Sequence, residues 1–117
     1  MNFGNYTHKS LEAVQFAQSI AREHANQQME QIHLLIALLR QDDGLIPQLL
    51  QKMEKNPQSL LAAANSQMQK LPKVTGSREA DRFYVSQQLD NALQAAQTVA
   101  ENMKDTYISV EHLFLGL

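Results

Sequence analysis

Apolar residues recur along this chain at spacings of three and four, and no segment alternates with the period of a strand. From His8 to about Ala25, positions Ala13, Val14, Phe16, Ala17, Ile20, Ala21 and His24 trace one face of an amphipathic helix, with Thr7 placed as its N-cap. Asn26 to Glu30 is polar and interrupts the pattern. Ile32, Leu35, Ile36 and Leu39 then mark a second helix, apolar almost all round, which must be central because no side of it suits water. Gln41-Asp42-Asp43-Gly44 predicts a turn whose carboxylates cap the next helix, a short one that Pro47 suits in its first turn and that carries Leu49, Leu50 and Met53. Asn56 and Pro57, a cap followed by proline, open a fourth helix that runs to Lys70 with Leu60, Leu61, Ala64 and Met68 inward. Pro72 stops it.

Residues 72–84 form a connector of mixed charge containing Gly76-Ser77. Ser86 caps a second long helix whose buried stripe is Leu89, Ala92, Leu93, Ala96, Val99, Ala100 and Met103. Lys104-Asp105-Thr106 is a turn, Ser109 the next cap, and Glu111 sits in a first helical turn where its charge suits the helix dipole. Met1 to Tyr6 is a short turn-like lead with Phe3 and Tyr6 as apolar anchors.

The two long patterns are one pattern. His112 stands 79 residues after His33, and the same offset pairs Ala13 with Ala92, Gln15 with Gln94, Ala17 with Ala96, Gln18 with Gln97 and Ala21 with Ala100. A gapless register that keeps apolar positions apolar predicts one supersecondary unit used twice, each copy covering a face the other cannot bury. The expected architecture is all-α, a four-helix repeat duplicated about a pseudo-twofold axis. It is divided into a first repeat at 7–71, the connector, and a partial second repeat at 85–117. Nothing corresponds to Gln41 through Leu71 in the second copy, so Leu113, Phe114, Leu115 and Leu117 are expected to lack cover and the chain to be a fragment ending inside or just after a helix.

With 117 residues, ten basic and twelve acidic, the chain is one domain of slight net charge without the Lys/Arg clustering that tracks phosphates, so nucleic acid is a poor partner. The absence of Cys excludes disulfides and thiolate chemistry. No basic-then-apolar leader occurs and the longest apolar run, Leu34 to Leu39, is too short for a bilayer, so no membrane partner and a cytoplasmic location are expected.

Three features together resemble the N-terminal domain of the Clp AAA+ chaperones, and within that family the ClpB-like branch. They are the opening Phe3-Gly4-Asn5-Tyr6-Thr7 before the first long helix, the doubled His-Leu motif with Glu111-His112-Leu113 the more typical copy, and the connector Leu71-Pro72-Lys73-Val74-Thr75-Gly76. The resemblance covers the whole chain. It implies a pseudo-twofold helical domain tethered ahead of ATPase rings in a homohexamer, engaging unfolded or aggregated polypeptides and delivering them to the pore. ATP would be a cofactor of the parent protein only, with none in this domain. It further implies client contacts at Thr7, Asp105 and Glu111, and an apolar groove. In ClpC-like relatives paired acidic residues help bind phosphorylated arginine; the corresponding pair here is Ile32 and Glu111, so the resemblance implies that at least half of that site is absent. The first copy also lacks the Pro or Glu often found just before its His, which predicts weak capping of the second helix. The alternatives are an adaptor-docking domain of the ClpC or ClpA kind, and a free-standing repeat protein of structural or regulatory role.

Plain structural roles compete with each of these. Four His residues invite a metal, yet no HExxH or close His pair exists, and His33 and His112 read as packed or capping histidines. Thr7 is a cap in any case, Asp105 reads as a turn residue and Glu111 as a dipole partner. Met29, Met53, Met68 and Met103 read as core by spacing, with an adaptable binding surface as the alternative. Phe83 and Tyr84 are either a clasp over the core or an exposed client contact. No phosphate loop, nucleophile elbow or metal triad is present, so the domain reads as a non-enzymatic binding module.

Overall fold

The computed structural model describes residues 3–42, 44–73 and 84–117, and the helical pattern organises nearly all of them. Helix α1 (His8–Glu23) is followed by a two-residue strand β1 (Gln28–Met29), then α2 (Gln31–Arg40), α3 (Leu45–Lys52) and α4 (Pro57–Gln69). A second two-residue strand β2 (Tyr84–Val85) leads into α5 (Gln87–Asn102) and α6 (Val110–Gly116). Most of the connector, with Asp43 and Phe83, lies outside the described residues.

The duplication is visible in matched contacts. Helices α1 and α5 are both 16 residues long and start 79 apart. Val85 pairs in parallel with Met29, and Tyr6 bridges in parallel to Ile108, which is the same contact with the two halves exchanged. Accordingly Thr7 N–H donates to Ile108 O at 2.9 Å and Ser86 N–H to Met29 O at 3.0 Å. An offset shared by helices, bridges and hydrogen bonds is what a pseudo-twofold axis requires. The sequence does not predict the strand pair, because two residues are too few to alternate. It clips the halves together without changing the all-α class.

Caps set the helix starts. The Thr7 hydroxyl oxygen accepts from Ser10 N–H at 3.2 Å, Ser86 Oγ from Leu89 N–H at 3.0 Å, and Asn56 Oδ1 from Gln58 N–H at 2.9 Å, each satisfying a donor the helix leaves open. Two expected features differ. Gly44, not an aspartate, is the N-cap of α3, and it makes no side-chain cap; exposed Asp42 instead offers its carbonyl to Lys9 Nζ at 3.1 Å. The second helix is well capped, by Glu30 and His33.

The core lies between α2 and the two long helices. His33, Leu34, Ile36, Ala37, Leu38 and Leu39 of α2 are buried, as its all-round apolar pattern demands. Helices α1 and α5 meet their partners through small residues, Ala13, Ala17 and Ala21 in one, Ala92, Ala96 and Ala100 in the other. The α5–α6 approach is the tighter: a Cβ on Gly116 would lie 2.6 Å from Ala92 O and 2.9 Å from Ala96 N, whereas its counterpart Ala37 is accommodated fully buried. Of the methionines read as core, Met29 and Met68 are buried, but Met53 is 64% and Met103 55% exposed. Both exposed ones are C-cap residues, where the stripe has already turned away from the core. Leu115 is 61% exposed while its counterpart Ile36 is fully buried: α3 packs against both α2 and α6, but α4 covers α2 and none of the described elements takes its place on α6.

Candidate functional site

Three structural features are candidates for a site. The first is an apolar groove of about 900 Å³ between α2, α4 and α6. Ile32 and Leu35 come from α2, Leu60 from α4, Leu71 from just past its end, and Phe114 and Leu117 from α6 and its last residue, all six of them part-buried. Leu35 and Phe114 are equivalent under the 79-residue offset, so the groove straddles the pseudo-twofold axis. Its rim is polar: among the described residues, Gln31, Gln67, Gln88 and one charged side chain, Glu30. Such a recess favours apolar side chains by burial and leaves the amides to meet the backbone of whatever chain carries them.

The second is a more polar cleft of about 520 Å³ lined by Asn26, Gln27, Gln28, Glu30, Leu71, Pro72, Tyr84 and Val85. It shares Glu30 and Leu71 with the groove. Tyr84, 51% exposed, belongs to β2 and faces this cleft, so it is no clasp over the core.

The third is the pair of histidines. Glu30 N–H donates to His33 Nδ1 at 2.8 Å and His33 Nε2 meets Asn26 Oδ1 at 2.8 Å; Ser109 N–H donates to His112 Nδ1 at 2.9 Å and His112 Nε2 meets Asp105 Oδ2 at 2.8 Å. Accepting at Nδ1 fixes each ring as the tautomer with its proton on Nε2, which then donates to the side-chain oxygen. Each His thus occupies the third helical position, where a capping box normally has Glu or Gln, and reaches seven residues back to the turn closing the preceding long helix. Both turns use a positive φ, 56° at Ala25 and 59° at Lys104. With both ring nitrogens committed, neither histidine has a lone pair for a metal, and no cluster of three or more potential ligands occurs among the described residues. Burial, and then the positive charge of His24, pull the His33 pKa down to about 4.

The three residues suggested as client contacts, Thr7, Asp105 and Glu111, line neither the groove nor the cleft. Thr7 is taken up by capping, its hydroxyl also donating to Ser10 Oγ at 2.9 Å. Asp105 holds His112, its side chain 46% exposed. Glu111 is part-exposed in the first turn of α6 and pairs with no described residue. Sequence reasoning missed Ser10, fully buried and donating to Ile108 O at 2.7 Å across the two halves, because a lone Ser inside a helix carries no signal of its own. It also missed Asn26 and Asp105 as histidine partners, although they share the 79-residue offset.

Comparison with known proteins places this geometry. The family described as the Clp repeat (R) N-terminal domain matches residues 5–117. The chain is 41% identical over 117 residues to the chaperone protein ClpB of Bacillus cereus, covering 99% of this chain and 14% of that protein. It is 39% identical over 118 residues to ClpB of Nitratidesulfovibrio vulgaris, covering 100% and 14%. Among solved structures, the Hsp104 N-terminal domain from Candida albicans superimposes with a TM-score of 0.86 at 20% identity, over 96% of this chain and 72% of that one, a likeness of fold. The chain therefore spans about one seventh of the length of these curated relatives.

Proposed function

Because the chain belongs to the Clp repeat (R) N-terminal domain family, we propose that it is the client-capturing module of a ClpB-type disaggregase. It binds exposed apolar stretches of unfolded or aggregated polypeptides and hands them to the ATPase ring of a longer, cytoplasmic, homohexameric protein. The module itself is a binding domain and performs no catalysis. The observation that carries the reading is the groove, where six part-buried apolar side chains face a recess rimmed by three glutamines and one carboxylate. A Leu or Phe side chain entering it gains about 1.5–3 kcal/mol by burial, offset in part by the ordering of an extended chain. Binding is therefore weak and degenerate, and its use is to raise the local concentration of client above the motor.

Thr7, Asp105 and Glu111 are proposed as a secondary client contact beyond their capping roles, through the free carboxylate of Glu111 and the exposed edge of Asp105. The test is fluorescence anisotropy with a permanently unfolded polypeptide, such as reduced and carboxymethylated lactalbumin. Saturable binding, little changed by salt and weakened several-fold by Leu35→Ser or Phe114→Ser, supports the reading. No binding of unfolded chains, with one-to-one capture of a folded adaptor instead, would replace it by the adaptor-docking function.

A further inference from the structure

His33 lies behind the groove wall, where no occupant of the groove can touch it. Its Nδ1 holds Glu30 N–H at 2.8 Å and its Nε2 holds Asn26 Oδ1 at 2.8 Å. Glu30, Gln31 and Ile32 form one wall of the groove, and Asn26 lines the adjoining cleft. One buried imidazole thus ties the turn after α1 to the wall on the far side. We infer that His33 is a positioning residue for the groove, holding the first turn of α2 in its ligand-competent place only while Nδ1 is unprotonated. The inference rests on the groove being the binding site.

A proton on Nδ1 would point at the Glu30 N–H, setting two donors against each other out of reach of water. The added charge would also sit at the positive end of the α2 dipole. The groups around the ring offer little compensation. His24 at the end of α1 is itself titratable and lies with Nδ1 2.9 Å from Ile20 O. The Glu30 carboxylate, at the ring's own cap, accepts from Gln28 Nε2 at 2.7 Å. Lys70 at the end of α4 and Tyr84 in β2 are exposed. With its pKa pulled down to about 4 by burial and then by His24, the staple holds through ordinary pH and lets go under strong acidification. The second copy does not share this link, because Ser109, Asp105 and Glu111 stand outside the groove.

The test compares the chain with H33Q and H33A. Gln at the third helical position can accept from the cap N–H and does not titrate, so it conserves the half of the staple that holds the wall. Two readouts are followed against pH: affinity for a fluorescently labelled, uncharged, leucine-rich peptide, and the Ile32 methyl shift by NMR without peptide. Circular dichroism confirms that the helices persist. We expect native affinity to hold from pH 7 to 5 and then to fall about twofold by pH 4 and about tenfold by pH 3, the Ile32 methyl moving in step. H33Q should stay flat over that range, and H33A should bind weakly already at pH 7 with a displaced Ile32 methyl. If H33Q loses affinity along the native curve, or H33A leaves Ile32 and binding unmoved, the inference is overturned. If the peptide binds no variant while Ile32 still follows the native titration and not that of H33Q, the positioning role stands and the proposed ligand falls.

Discussion

At the start of α2, a backbone N–H, an imidazole and an amide lock together out of water; 79 residues later a backbone N–H, an imidazole and a carboxylate repeat the geometry at the surface. Asn26 is 2% exposed, whereas the Asp105 side chain is 46% exposed. The backbone fixes the staple through matching left-handed turns at Ala25 and Lys104, and the surroundings decide its chemistry. A carboxylate buried where Asn26 lies would cost several kcal/mol of desolvation, while at Asp105 water bears part of that charge. The neutral copy lies behind the groove and the charged copy beside open solvent. The duplicated backbone thus holds two matching staples in different surroundings, and the buried one is the one behind the groove.

Breaking each staple should expose this asymmetry most strongly. His33→Ala removes both hydrogen bonds and opens a fully buried cavity, and should cost about 3–4 kcal/mol in urea unfolding. His112→Ala, where water can reach Asp105, should cost about 1–2 kcal/mol. Equal losses would mean that exposure of the partner is irrelevant.

Acid should separate the copies next. The His33 pKa is about 4 when folded and near its ordinary value of 6.5 when unfolded, so between these values the unfolded chain takes up a proton that the folded chain refuses. Stability is full above pH 6.5, falls by about 3 kcal/mol as pH drops towards 4, and then levels off as far as this group is concerned. Urea titrations of the native chain and His33→Gln should differ by that slope, and parallel curves would remove His33 as its source.

The helix pairs offer a smaller contrast. Gly116→Ala drives a Cβ into the Ala92 carbonyl and should cost about 2 kcal/mol, whereas the counterpart change Ala37→Gly should cost about 1 kcal/mol through chain entropy and a lost methyl. Thermal melts of the two variants read this directly. Smallest are the caps: Thr7→Ala and Ser86→Ala should each lower stability by about 1 kcal/mol. If Thr7 also meets clients, Thr7→Ala and Glu111→Ala should slow disaggregation by the full-length protein more than that loss explains, while Ser86→Ala should not.

Much of this architecture is legible in the sequence, because helix caps and three-four periodicity are local signals and the 79-residue offset is a comparison within one chain. Thr7, Asn56, Ser86 and Ser109 stand at the helix starts where residue type places them. What stays hidden depends on partners distant along the chain. The β1–β2 clip is made by two residues meeting two others more than fifty positions away. Ser10 matters only because Ile108 lies across from it, and Met53 and Met103 look like core until the helix ends turn them outward. Weak capping of α2 is the natural expectation where no Pro or Glu directly precedes His33. The His itself supplies the cap, a role that its partner Glu30 makes visible only in three dimensions. The groove walls, drawn from three helices, could not be enumerated from spacing at all.

Whether apolar segments of non-native chains lie in the groove across the pseudo-twofold axis decides the function. The most direct measurement is NMR mapping of the chain, methyl-labelled at Ile and Leu and ring-labelled at Phe, during titration with a permanently unfolded polypeptide. The largest shifts are expected at Ile32, Leu35, Leu60 and Phe114, with those around Thr7, Asp105 and Glu111 smaller. Saturable binding that moves the latter surface while the groove residues stay silent would contradict the groove as the client site.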